Sequence, residues 1–210
     1  MTAPSIKQSA YGNGAVLTSL TTIGNYIVAV SPSFSTTKGV TDTAGNTYTW
    51  LCGTSDINAN YCDIYVAPVT VATSGNTVKA TNNIWPLFVS EIQNTTGLDG
   101  TATATAFNFS GAGTASSSIT TTSVNSLLIG GIVDQNSMST ITPAGGATLI
   151  NSNTGNADFS AASFLVVTTG ANSIQWTIPG ANTGVVVVVA FAGTGITKTP
   201  YNNSMLWMWQ

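Results

Sequence analysis

The sequence predicts an all-β protein, an antiparallel β-sandwich of jelly-roll-like or Greek-key type with essentially no helix, and three observations carry that expectation. No window of 11 or more residues sets apolar side chains at i, i+3, i+4 and i+7 without a glycine, a proline or a β-branched run interrupting it. Period-two alternation and short aliphatic runs recur instead, separated by turn signals built on Gly, Asn and Pro. Finally, the order of five segments in the first half of the chain returns 95 to 101 residues later.

Residues 1–19 read as an N-terminal arm or a first strand. The run 26–30, Tyr-Ile-Val-Ala-Val, follows a Gly24-Asn25 turn and is apolar throughout, as a strand covered on both faces must be. Alternation in 47–52 sets Tyr48, Trp50 and Cys52 on one face. In 61–66 it sets Cys62, Ile64 and Val66 on one face and Tyr61, Asp63 and Tyr65 on the other, which is read as solvent-exposed because it carries the charge. Residues 101–109 alternate Thr and Phe against Ala and Asn. The Ser/Thr/Gly segment 111–123 is read as a solvent-facing edge strand rather than a linker, since Ile and Thr favour extended backbone. Aliphatic runs at 127–133, 163–167 and 185–191 supply further central strands.

The recurrence pairs Asn25-Tyr-Ile-Val-Ala-Val with Asn125-Ser-Leu-Leu-Ile-Gly, and the segment from Val40 with the segment from Ile141. It also pairs Tyr65-Val-Ala with Phe164-Leu-Val, the segment from Gly75 with that from Gly170, and Phe88-Val-Ser-Glu with Val187-Val-Val-Ala. The expectation is one sandwich over 20–193 made of two equivalent halves, about 20–110 and 111–193, neither able to cover its apolar face alone. An apolar tail, 194–210, follows.

Four features together carry a resemblance: Val40-Thr-Asp-Thr-Ala-Gly-Asn-Thr-Tyr-Thr with a Tyr-rich strand after it, the Ser74-Gly-Asn-Thr-Val turn, the strand containing Glu91, and Ser126-Leu-Leu-Ile-Gly. Over roughly 20–193 the chain resembles the Ser/Thr/Gly-rich, jelly-roll-like β-sandwich domains of bacteriophage virion proteins and bacterial surface proteins. The resemblance implies a scaffold for assembly or surface attachment, and it brings no catalytic residues with it.

Composition points the same way. Of 210 residues only four are basic, all lysine, and seven are acidic, while histidine is absent. Neutralising phosphates needs clustered Lys or Arg, so no nucleic-acid partner is expected. Without imidazole the commonest general base and metal ligand are missing. No secretory leader is visible near the N-terminus, and no aliphatic run is long enough to span a bilayer, so no membrane is expected. The expected protein is therefore a non-enzymatic virion structural protein, a capsid decoration (cement) protein or a tail-fibre component, acting by protein–protein adhesion. Its partners would be other virion subunits and copies of itself, on a virion surface assembled in the host cytoplasm. The alternative is a carbohydrate-binding module or adhesin, extracellular or on a cell surface, with polysaccharide as its partner.

Several residues are candidate sites. Met205, Leu206, Trp207, Met208 and Trp209 are five consecutive apolar residues at the end of the chain, where termini are usually polar, and they read as a partner anchor. Tyr61, Tyr65 and Trp85 are candidates for stacking on sugar rings, against ordinary use of aromatics in a core. Cys52 and Cys62 flank a polar loop and either form a cross-strand disulfide or remain two buried free thiols. The loop itself, Asp56-Ile-Asn58-Ala-Asn60, has oxygen-bearing side chains at alternate positions, but Tyr61 and Ala67 stand where a calcium loop needs Gly and Glu. It reads as a polar hairpin loop, and neither a metal nor any other cofactor is expected. Asp42 reads as a turn-former, and Glu91, Asp99 and Asp134 are dispersed along the chain.

Overall fold

The structure is a computed structural model and describes residues 2–33, 39–81, 86–134, 141–153 and 158–194. The first half of the chain contributes eight strands: β1 (Ser5–Gly12), β2 (Ala15–Leu17), β3 (Tyr26–Ser33), β4 (Val40–Asp42), β5 (Thr49–Ser55), β6 (Tyr61–Pro68), β7 (Asn76–Ala80) and β8 (Leu87–Gln93). Five of them form one sheet in the order β1-β8-β3-β6-β5, and the other three form a smaller one, β2-β7-β4. The second half contributes β9 (Thr95–Leu98), β10 (Thr103–Phe109), β11 (Gly113–Thr121), β12 (Ser126–Asp134), β13 (Thr142–Ala144), β14 (Thr148–Asn153), β15 (Asp158–Val166), β16 (Gly170–Ile178) and β17 (Asn182–Gly193). Its large sheet runs β10-β17-β12-β15-β14, with β9 added against the end of β17, and its small sheet runs β11-β16-β13. Each strand of the first half thus has a counterpart nine places later, in the same sheet position. All pairings are antiparallel, and no helix occurs among the described residues.

The small sheets change the expected layering. Two halves making one sandwich would have left each half a single sheet, but each half is itself a two-sheet sandwich. The two then stack through their large sheets, giving four layers in the order small, large, large, small. Three apolar clusters fill the three gaps. Between the first small and large sheets lie Leu17, Val78, Ile27, Tyr65 and Val89 among others. Between the two large sheets lie Val30, Ile64, Phe88, Ile129, Val187 and Phe191. Between the second large and small sheets lie Leu128, Ile132, Val186, Ile174 and Trp176. The central strands of either large sheet are therefore covered on both faces, which explains why β3, β12 and β17 read as unbroken aliphatic runs. The outer strand β11 shows the other pattern, with Ala115, Ser117, Ile119 and Thr121 inward and buried.

The division between halves falls at Asn94, between β8 and β9, and not near residue 110. β1 and β2 belong to the first sandwich, and β10 to the second.

The repeat also shifts by one residue within β3. Pairing Asn25 with Asn125 would oppose Ile27, which faces the small sheet, to Leu127, which faces the central gap. The structure instead matches Gly24 with Asn125, both left-handed at φ 91° and 60°, and Val30 with Gly131. In two runs of similar aliphatic residues a one-residue slip leaves the letters alike while exchanging the faces.

Val30 and Gly131 also meet across the central gap. A Cβ on Gly131 would stand 2.2 Å from Val30 Cγ1, so the absence of a side chain there lets the two large sheets close. Its neighbour Gly130 does the same on the opposite face, where Ile174 and Trp176 fill the space.

Candidate functional site

The hairpin of β5 and β6 holds most of the candidate residues. Its register shifts between Trp50 and Cys52: Trp50 stands opposite Tyr65, Cys52 opposite Ile64, and Leu51 is the extra residue of a β-bulge. Strict alternation placed Tyr48, Trp50 and Cys52 on one face, and the bulge overturns that grouping. Cys52 faces the central core with Cys62, Ile64 and Val66, whereas Trp50 faces outward with Tyr61, Asp63 and Tyr65.

Cys52 and Cys62 are both buried and are free thiols in this structure. They share a face but sit diagonally, since Cys62 stands opposite Thr54. Cys52 Sγ donates to the Thr103 carbonyl at 3.3 Å. Burial, reinforced by the nearby charge of Asp63, pushes the Cys52 thiol up to about 12 and the Cys62 thiol well above its ordinary value.

The face expected to be solvent-exposed is largely covered. Asp63 and Tyr65 are 8% and 5% exposed, and Tyr65 packs into the core beneath the small sheet with Ile27, Ala29 and Val78. Burial and the charge of Asp63 raise its phenol to about 12. Tyr65 therefore cannot stack on a sugar. Tyr61 is half-buried. Trp85 and the anchor residues Met205, Leu206, Trp207, Met208 and Trp209 lie outside the described residues.

The aromatic that the sequence reading passed over is Trp50. It is 52% exposed, and its indole Nε1 donates to Asp63 Oδ1 at 3.0 Å. Asp63 lies one step further along the same face, directly opposite Gly53. A Cβ on Gly53 would come within 1.8 Å of Asp63 Oδ1, so only glycine leaves room for the carboxylate to lie over β5 and reach the indole. A glycine inside an otherwise good strand was the signal for this arrangement.

Four further carboxylates hold turns and loops. Asp56 Oδ1 accepts the Asn58 and Asn60 amides, both at 2.9 Å, and its Oδ2 accepts Asn60 Nδ2 at 2.6 Å, so the loop is closed by its own aspartate. Asp42 accepts the Asn46 amide, Asn46 Nδ2, Tyr48 OH and Asn76 Nδ2, which ties the turn after β4 to β7. Glu91 is fully buried and accepts the Thr22 amide, Asn25 Nδ2 and Gln8 Nε2 at 2.6 to 2.8 Å, with Lys7 Nζ at 3.5 Å. Asp99 accepts the Thr122 and Ser123 amides and the hydroxyls of Thr122 and Ser126. Burial alone would raise Asp42 and Asp99, but their hydrogen bonds outweigh it and hold both below the usual carboxylate value. Among the described residues no three of His, Cys, Asp or Glu stand close enough to hold a metal.

The chain matches no family model, no curated protein and no solved structure.

Proposed function

We propose that the protein is a non-enzymatic structural component of a virion, a capsid decoration or tail-fibre protein that works by adhesion to neighbouring subunits. Two equivalent sandwiches stacked through apolar sheets make a stiff body, and four of its carboxylates are spent on holding turns and loops. The observation that carries the reading is the end of that body at which β17 stops. β17 ends at Gly193 beside Asn125, and Thr194 bridges Thr2 and donates to the Asn94 carbonyl. The same end carries exposed aliphatic side chains from both halves: Leu20, Ile23 and Val71 on loops joined by the Thr21–Thr73 and Gly24–Val69 bonds, and Val124 and Val167 on the matching loops. The ring of Tyr26, at the start of β3, lies 5.7 Å from Phe191 near the end of β17, which puts the two sets of loops at one end. The Met-Leu-Trp-Met-Trp segment follows eleven residues after Thr194, a reach of about 36 Å when extended. An apolar segment joined in sequence to an apolar end of the body fits attachment to another subunit.

Deleting residues 205–210 tests this. The truncated chain should fold with an unchanged far-ultraviolet spectrum and lose at least about tenfold in binding to its particle. Undiminished binding would sink the anchor reading.

A further inference from the structure

We propose that the outer face of the β5–β6 hairpin is a binding site for a neutral glycan, with Trp50 as its stacking platform. The site does not depend on the assembly reading, because it uses none of the same residues.

The indole is held by its polar edge. Trp50 stands opposite Tyr65, yet its Nε1 bonds to Asp63, two residues along β6, so the ring leans along the strands toward the carboxylate that fills the space above Gly53. Pinned there by its polar edge, the side chain keeps 52% of its surface exposed. Three separate features of the chain produce this: the extra residue at Leu51 that turns Trp50 outward, the missing side chain at Gly53, and the carboxylate of Asp63. With Cys52 kept opposite Ile64, an unbulged strand would have set Trp50 opposite Val66, on the central-core face. A large aromatic left half in water, with its polar edge already bonded, presents a pure π face.

The apolar C–H face of a pyranose ring fits such a surface, its hydrogens directed at the negative face of the indole. Its hydroxyls then point along the sheet, where Ser55 and Tyr61 stand opposite each other, both half-buried, next after the Gly53–Asp63 pair. Tyr61 lies four residues beyond the position opposite Trp50, about 13 Å along the strand, so the strip suits a chain of sugars more than one ring. Charge favours a neutral glycan. Lys7 is engaged with Glu91 and Thr22 on β1, the opposite edge of the sheet from β5, and Lys79 lies outward on β7. The described cations thus stand elsewhere, and the carboxylate of Asp63 opposes acidic sugars.

Native gel electrophoresis of the full chain through gels containing dextran, xyloglucan, galactomannan or mixed-linkage β-glucan tests the proposal, with polygalacturonate as the acidic control. Retardation by at least one neutral polymer is expected, none by polygalacturonate, and a loss of about tenfold in affinity for Trp50→Ala. Tyr61→Ala should lose several-fold with an unchanged Tm. Trp50→Phe, which keeps a ring but drops the bond to Asp63, guards against a folding defect and should bind more weakly than the parent chain. Absence of retardation by every neutral polymer, or parental affinity in both Trp50 variants, would overturn the proposal. The outcome is separate from particle binding by the tail deletion, so either idea can fail alone.

Discussion

Thr22 and Ser123 occupy equivalent places ahead of β3 and β12, and each backbone amide ends on a buried carboxylate. The carboxylates come from different places: Glu91 from the middle of β8, Asp99 from the segment between β9 and β10. The repeat has therefore kept the hydrogen bond and not the residue, which is why no alignment of letters pairs them. Asp99 is held below the ordinary carboxylate value, so the sign of its contribution is fixed: full above the unfolded pKa, lost as pH falls through the folded one. Asp42 acts in the same direction. The Tm should accordingly fall on acidification below about pH 4. Asp99→Asn should cost about 1–3 kcal/mol near neutrality and flatten that acid limb, as followed by thermal melts from pH 7 to pH 2.5. An acid limb as steep as the parent's would remove Asp99 from the explanation.

At the scale of elements, β3, β12 and β17 were legible because burial on both faces demands continuous aliphatic residues. The strands β2, β4 and β13 were not, since three residues are too few to show a period, and with them went the small sheets and the four-layer arrangement. β5 failed for another reason. Alternation assumes an unbroken ladder, and the bulge at Leu51 reversed the faces of Trp50 and Tyr48 relative to Cys52. The acidic residue on the Tyr61–Tyr65 face suggested water, yet Asp63 is covered and bonded to an indole that the same bulge delivers. The consequence for chemistry lies in the thiols. With the Cys52 thiol pushed up to about 12 and the Cys62 thiol also well above its ordinary value, both remain protonated and enclosed at neutral pH. Ellman's reagent at pH 8 should leave both unreacted for hours in the native protein and label both within minutes in guanidinium. Rapid labelling of either in the native state would show that the β5–β6 hairpin opens or is packed differently.

In the molecule as a whole, two equivalent sandwiches share a core through their large sheets. Each large sheet is apolar on the face it turns to the other half, and the cluster between them includes Val30, Phe88, Ile129, Val187 and Phe191. A half expressed alone would leave that face in water. The contact at the centre joins positions related by the repeat itself, Val30 and Gly131, and Val30 Cβ stands 3.3 Å from where a Cβ of residue 131 would lie. That is close to the separation a disulfide spans. Oxidative refolding of the Val30→Cys/Gly131→Cys variant, followed by peptide mapping under non-reducing conditions, measures the contact directly. A single bond linking positions 30 and 131, with Cys52 and Cys62 still free, is the predicted result. A folded protein in which the two new thiols stay unlinked, or pair with Cys52 or Cys62 instead, would contradict the stacking of the two halves.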